Sequence, residues 1–286
     1  MGSFRASAIL ASILLAVGCK TESVPATRAQ AHRTRDTIPM VPLYESEHYL
    51  AASTASPRLT RETLERLEIQ RRAYLAAVGI PDTPGPLLHL RLHRSRDEMK
   101  RLERMPPWAE GMYDDSVCIQ YVDGSEPNPY HWTLHEAVHQ LNHEVAHLAL
   151  PGWANEGIAC LFSTSRMEKD SLLLGQLDPS TYPTWHIKDL TLSGDPATDV
   201  RAGRIVLPLD FVGGTDTSDL NRSVNAHYVS WATFVLFLHR KDPTALFDWA
   251  RNKPTRTGLE SRFGPLDSLQ TKWYRLLAQL SSDARN

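Results

Sequence analysis

The pattern His-Glu-x-x-His occurs twice in one stretch of this chain, and it constrains the fold more than any other sequence feature. The first copy begins at His135 and ends at His139, and the second begins at His143 and ends at His147. Residues four apart on a helix lie on one face, with Cβ atoms about 5–6 Å apart. The spacing therefore predicts a helix at about 131–148 on which two imidazoles can reach one metal ion.

A third metal ligand and a base are available nearby. Glu136 follows the first histidine and lies beside the histidine face, where a carboxylate can take a proton from metal-activated water. Pro151 and Gly152 break the first helix, and Glu156 follows near the start of a second helix, predicted at about 153–163. Two histidines and a glutamate are one of the ligand sets that zinc uses.

Together, H-E-x-x-H-Q and the following W-x-N-E-G-x-A resemble the gluzincin metallopeptidases, the group that includes thermolysin and aminopeptidase N. The 16 residues between His139 and Glu156 are most similar to those of peptidase-MA-like domains of unknown function, many of them bacterial and exported. The resemblance implies that His135, His139 and Glu156 bind one Zn²⁺. It also implies that Glu136 is the general base and later the general acid.

Because the motif occurs twice, either copy could supply the two histidine ligands. A simple helical hairpin would place Glu156 level with His147, and His139 would lie about 12 Å further along the helix. The resemblance instead favours the first copy, because the glutamine that follows it and its spacing to Glu156 match those of the gluzincin family. The conflict disappears if the helix ends near His143 and the chain then crosses irregularly to the next helix. We therefore favour the first copy and expect the second to be solvated or to lie behind the metal ligands.

Two further site features follow from the resemblance. Gluzincins commonly stabilise the oxyanion with a later tyrosine or histidine, which points to Tyr228, with His227 as the next candidate. A buried core tyrosine is the alternative for Tyr228. Residues 116–122 form a predicted strand before the histidine helix, where zincins place the edge strand that binds extended peptides. We expect this strand to hold substrate by main-chain pairing, with an ordinary sheet strand as the alternative.

Hydrophobic periodicity predicts an α+β fold around this site. The other predicted elements are a strand at 45–53, a helix at 60–78 capped by Thr60, a strand at 88–93, a helix from Ser95 to about 104, and helices at 226–240, 243–252 and 266–280. The sequence of 166–224 shows no clear pattern of a helix or a strand. The whole pattern predicts a zincin-like domain with a small mixed sheet, the histidine helix and a mainly helical C-terminal part.

The N-terminus has the pattern of a bacterial lipoprotein signal at 1–19. An apolar run too short to span a membrane ends in Ala-Val-Gly-Cys, which resembles a lipobox and implies a lipid on Cys19. An ordinary secretory signal is the alternative. Residues 20–43 indicate a flexible tether, and 44–286 the peptidase-MA-like domain.

These features predict a protein that is exported and lipid-anchored to the bacterial cell envelope. The absence of Asp after Cys19 indicates the outer membrane, on the periplasmic or surface side. The net charge of −2 gives no electrostatic case for nucleic-acid binding. Export permits a disulfide between Cys118 and Cys160, but we favour two free thiols. We expect a monomer acting on a peptide or protein.

The sequence accordingly predicts a zinc-dependent metallopeptidase that hydrolyses peptide bonds in the cell envelope. One alternative is a non-catalytic zinc-binding envelope lipoprotein, although a pure binding site does not need Glu136. The other is a zinc hydrolase of a non-protein envelope amide, such as a cell-wall crosslink, and nothing in the sequence separates that substrate from a peptide.

Overall fold

The structure, a computed structural model, describes residues 41–106, 109–216 and 220–285. The predicted signal at 1–19, its Cys19 and most of the predicted tether lie outside the described residues. From Val41 onwards, the described residues cluster as one compact unit.

Strands dominate the first part of the described chain, and helices dominate the second. The strands are β1 Leu43–Glu45, β2 Tyr49–Ser53, β3 Leu88–His93, β4 Met112–Asp114, β5 Val117–Tyr121, β6 Ser165–Met167 and β7 Leu172–Leu177. The helices are α1 Pro57–Val78, α2 Arg96–Leu102, α3 His131–Gln140, α4 Gly152–Ser163, α5 Thr184–Ile187, α6 Pro196–Arg201, α7 Pro208–Gly213, α8 Leu220–Lys241, α9 Pro243–Asn252, α10 Arg256–Phe263 and α11 Leu266–Asp283. The prediction of an α+β fold with a mainly helical C-terminal part is confirmed.

Five strands form a mixed sheet in the order β1-β2-β3-β5-β4. The central pairs, β2 with β3 and β3 with β5, are parallel, whereas the outer pairs are antiparallel. Leu88, Leu90 and Leu92 on β3 are buried, while the alternating His89 and Arg91 are exposed. This period of two fixes which face of the central strand packs against the core.

The edge of this sheet differs from the prediction. Strand β5, which is the predicted strand at 116–122, pairs with β3 on one side and β4 on the other, so the prediction of an edge role for it was wrong. The short β4 occupies the edge instead. It returns to β5 through a tight turn in which Asp115 and Ser116 both have positive φ, 45° and 65°, as two-residue hairpin turns require.

Two other boundaries also differ, because local turns and caps decide them. The predicted strand at 45–53 is divided into β1 and β2 by a turn closed by the Ser46 N–H and the Tyr49 carbonyl, 3.0 Å apart. Helix α1 begins at Pro57 rather than Thr60. The Ser56 hydroxyl caps it by accepting a bond from the Leu59 N–H, and proline is well suited to a first helical position.

The C-terminal helices surround α8, whose apolar residues lie in the core. Phe234, Val235, Leu236 and Leu238 are each at most 1% exposed. Helix α4 packs closely against α8 at Gly157, where an added Cβ would lie 2.4 Å from Val235 Cγ2. Among the described residues, none of the helices combines the length and the apolar character needed to cross a membrane.

Candidate metal centre

Helix α3 presents its histidines to a cavity because its opposite face is apolar. Leu134, Ala137, Val138 and Leu141, at helical spacing, are each at most 3% exposed. Burial of this stripe fixes the rotation of the helix about its axis. His135 and His139 then face the cavity, and Glu136 lines it beside them.

The helix ends before 148, close to the end near His143 that the favoured first copy requires, and this removes the conflict over the two motif copies. The α-helical part stops at Gln140, Leu141–Val145 is π-helical, and the chain then runs irregularly to α4. His147 has a φ of 50°, so it is outside the helix and shares no helical face with His143. The simple hairpin that would have placed Glu156 level with His147 does not form.

His135, His139 and Glu156 converge on one point. The two Nε2 atoms lie 3.2 Å apart, and Glu156 Oε2 lies 3.2 Å from the Nε2 of His135 and 3.5 Å from that of His139. Ligand atoms about 2.0–2.1 Å from a tetrahedral zinc lie about 3.3–3.4 Å from one another. The three atoms are therefore spaced as three corners of a zinc tetrahedron.

The second motif copy forms no comparable group. Within the part of the chain that the structure describes, only His135, His139 and Glu156 place ligand atoms close enough together for one ion. The His143 side chain is 73% exposed. Nδ1 of His147 lies 2.9 Å from the His143 carbonyl oxygen, and His147 lines a different cavity from the one that holds His135 and His139.

The charges at the centre reinforce one another. Burial lowers the pKa of His139, but the negative charge of Glu156, the hydrogen bond to it and the charge of Glu136 together raise that pKa to about 9. For Glu156, burial raises the pKa, yet the two histidines lower it well below its usual range. Without a metal, a protonated His139 thus pairs with an ionised Glu156.

Glu136 lies beside the ligands without joining them. Burial raises its pKa, although the nearby His139 and His135 and the backbone of Tyr113 on β4 oppose this rise. The residue just before this edge strand, Gly111, approaches Glu136 closely: an added Cβ there would lie 2.8 Å from Glu136 Cγ. The carboxylate is therefore placed to exchange a proton next to the ligand cluster.

Tyr228 and His227 occupy different environments. The Tyr228 ring lies 6.1 Å from the His135 ring, and Tyr228 lines the cavity. Burial, and then the negative charge of Glu156, raise the pKa of Tyr228, so its hydroxyl stays protonated and can donate. His227 is buried, with Nε2 2.9 Å from Asp216 Oδ2 and Nδ1 2.9 Å from the Ser223 carbonyl oxygen. Of the two candidates, Tyr228 is the one that the structure places at the centre.

The cavity has a volume of about 740 Å³ and an aromatic wall that sequence analysis missed. The Tyr182 ring lies 5.2 Å from Trp132, 5.7 Å from Trp185 and 5.4 Å from Tyr228. All four rings are only partly buried, so their exposed faces line the cavity. The spacing Tyr-x-x-Trp in the stretch 166–224 was the available signal.

Behind the ligands lie buried groups that the motif alone did not indicate. Tyr74 donates to Asn142 at 2.7 Å, and Asn142 donates to Asn155 at 2.9 Å, next to His139. The Cys160 sulfur lies 3.9 Å from Nδ1 of His135. Cys118 and Cys160 are both free and buried, which confirms the preference for free thiols. Such neighbours orient ligand rings.

No protein-family model matches this sequence, and no curated protein matches it significantly. What the molecule can do is therefore inferred from its own residues. The described structure brings His135, His139, Glu156, Glu136 and Tyr228 to one cavity. The sixth predicted site residue, Cys19, lies outside the described residues.

Proposed function

We propose that this protein is a zinc-dependent metallopeptidase with a gluzincin-like, zincin-type arrangement, and that it hydrolyses peptide bonds. The observation that supports this most strongly is the convergence of His135 Nε2, His139 Nε2 and Glu156 Oε2 at separations of 3.2–3.5 Å, with Glu136 beside them. A site that only stored metal would gain nothing from a carboxylate that is close to the ligands but outside their set.

His135, His139 and Glu156 would hold the metal. Zinc in such a site supplies a Lewis acid that polarises a carbonyl group and makes water acidic near neutral pH. Glu136 takes the proton of the attacking water and delivers it to the leaving amine. Burial raises its pKa, and a carboxylate of raised pKa holds the transferred proton more firmly until the leaving amine takes it.

Tyr228 is the donor proposed for the oxyanion. Its hydroxyl remains protonated because burial and neighbouring carboxylates raise its pKa, and it lies on the α8 side of the same cavity. A preformed donor in a site with little water stabilises charge that develops only in the transition state.

Strand β4 is the proposed contact for the substrate main chain. It ends the five-stranded sheet, and Gly111, Met112 and Tyr113 line the cavity. The outer side of an edge strand can pair with an extended peptide, while the aromatic wall can take apolar side chains. This supports a peptide or protein substrate.

We further propose that the enzyme acts in the bacterial cell envelope, exported and lipid-anchored through Cys19, on the periplasmic or surface side of the outer membrane. The support is the lipobox-like sequence and the polar segment that follows it.

Metal analysis combined with digestion of an unbiased peptide library tests the proposed activity. The wild type should contain about one zinc per chain and release new amino termini. Glu136→Gln should keep the zinc and lower hydrolysis by roughly a hundredfold to ten-thousandfold, because it removes only the base. Glu168→Gln, at an exposed carboxylate, is the matched control and should behave as wild type.

A wild type that binds zinc and cleaves no peptide in the library would overturn the peptidase proposal. Non-catalytic zinc binding, or hydrolysis of a non-protein envelope amide, would then take its place.

A further inference from the structure

The glutamate of the second motif copy joins two elements of the site. Glu144, on the π-helical segment after α3, accepts hydrogen bonds from the Tyr113 hydroxyl on β4 and from Ser116 Oγ in the β4–β5 turn, the latter at 2.6 Å. Its pKa is lowered to about 2, by the Ser116 bond first and the Tyr113 bond second. Glu144 is therefore ionised, and hydrogen bonds to an ionised acceptor are stronger than neutral ones.

The turn that Glu144 contacts is anchored a second time from the same helix end. Gln140, the last residue of α3, donates from Nε2 to the Ser116 carbonyl oxygen at 2.9 Å and to the His89 carbonyl oxygen at 3.0 Å. Asp115 and Ser116 have left-handed backbone angles that non-glycine residues adopt only at a cost. Contacts from Gln140 and Glu144 can hold this turn in place.

Tyr113 lies between the two glutamates of the doubled motif. Its backbone is near enough to Glu136 to lower the pKa of that carboxyl, the preceding Gly111 approaches Glu136 closely, and the Tyr113 hydroxyl donates a hydrogen bond to Glu144. Its hydroxyl also lies 3.1 Å from Nδ1 of His143. One residue of the edge strand thus connects the proposed base with the second motif copy.

We propose that Glu144 is a positioning residue, which holds Tyr113 and thereby sets the edge strand against Glu136. The proposal rests on the proposed function for its catalytic consequence. It gives the second His-Glu-x-x-His copy a role other than metal binding: its glutamate braces the strand that contacts the base and lines the substrate cavity.

The brace matters because β4 is short and lies at the edge of the sheet. The strand has three residues and pairs only with β5 among the described strands, at Met112–Ile119, Tyr113–Cys118 and Asp114–Val117. Without the Glu144 contact, the strand keeps its ladder but its side chain at 113 loses a charged acceptor. Small displacements of a positioned group cost catalysis disproportionately.

Glu144→Gln and Tyr113→Phe test this, alone and together. Each should lower kcat by roughly tenfold to a hundredfold while zinc stays near one per chain. The double variant should be no worse than the poorer single variant, since both remove one interaction. Glu168→Gln is again the matched control. Tyr113→Phe keeps the ring and the backbone and removes only the hydroxyl, so it decides between the outcomes if Glu144→Gln does not fold.

Hydrogen–deuterium exchange provides a readout that does not depend on activity. Amide protection over residues 109–118 should fall in both variants, with protection of α8 unchanged. Wild-type kcat and unchanged exchange in the variants would overturn the proposal. The proposal would also be overturned if the losses of kcat added in the double variant and followed the loss of global stability. If the wild type hydrolyses nothing, the proposed function fails, while the exchange result alone still supports or overturns the brace.

Discussion

At the scale of single residues, the protonation of His139 carries the clearest consequence. Its pKa is raised to about 9 mainly because the attraction of Glu156 and Glu136 exceeds the penalty of burial. An unfolded histidine has a pKa of about 6.5. The metal-free protein therefore gains stability from this group fully below about pH 6.5, and loses it as the pH rises through about 9.

Zinc binding near pH 7.5 should therefore release about one proton, because a ligating imidazole must be neutral while His139 is protonated in the metal-free protein. Calorimetric titration with zinc in two buffers of different ionisation enthalpy measures this number. A heat of binding that is the same in both buffers would show that His139 is already neutral and would contradict the assignment.

Tyr228→Phe tests the proposed oxyanion donor. It should lower kcat by roughly tenfold to a thousandfold with zinc content unchanged, since it removes one donor and no ligand. Tyr274→Phe removes a hydroxyl bonded to Asp199 in another part of the fold, and should leave kcat unchanged. An unaltered kcat in Tyr228→Phe would return this residue to a packing role.

At the scale of elements, the motif W-x-N-E-G combines a ligand with the packing that holds it. Trp153 stacks on Trp249 with ring centroids 5.5 Å apart, and Asn155 joins the hydrogen-bond chain behind His139. Glu156 faces the cavity, and Gly157 lets α4 approach α8. The four residues thus place one carboxylate by fixing the helix that carries it.

Gly157→Ala should destabilise the protein by about 1–3 kcal/mol, because its Cβ would lie 2.4 Å from Val235 Cγ2 and 2.9 Å from the Trp231 carbonyl oxygen. Gly152→Ala is the matched control in the same helix, since no atom lies within 4 Å of its added Cβ. Denaturant unfolding gives both free energies. Equal stabilities for the two variants would show that α4 does not depend on this close contact.

Periodicity in the sequence was enough to place the long elements. Alternating leucines indicated β3, and the apolar stripes indicated α1, α8, α9 and α11. The π-helical end of α3 was not predictable, because it depends on where Asn142 and Glu144 find partners. Strand β4 has only three residues, too few for a period, so the edge was assigned to the wrong strand. The aromatic wall depends on tertiary contacts between α3, α8 and the stretch 166–224.

At the scale of the whole molecule, the predicted lipid anchor is independent of the folded domain and needs its own test. The lipid anchor depends on residues 1–19, outside the described structure. Replacing Cys19 with Ser should move the protein from the membrane to the soluble fraction, because stable attachment would then lack its acyl chains. Cell fractionation with mass analysis of the N-terminal peptide measures this. A wild type without acyl mass, together with a Ser variant that still pellets with membranes, would contradict the lipoprotein prediction.

The zinc content of matched ligand variants tests the central claim most directly. His139→Ala and Glu156→Ala should each fall below about 0.2 zinc per chain at micromolar protein, because each removes one of three ligands. His147→Ala, the same substitution in the second copy, should stay near one. If His147→Ala lost its zinc while His139→Ala kept it, the metal would belong to the second copy, and the proposed ligand set of His135, His139 and Glu156 would be wrong.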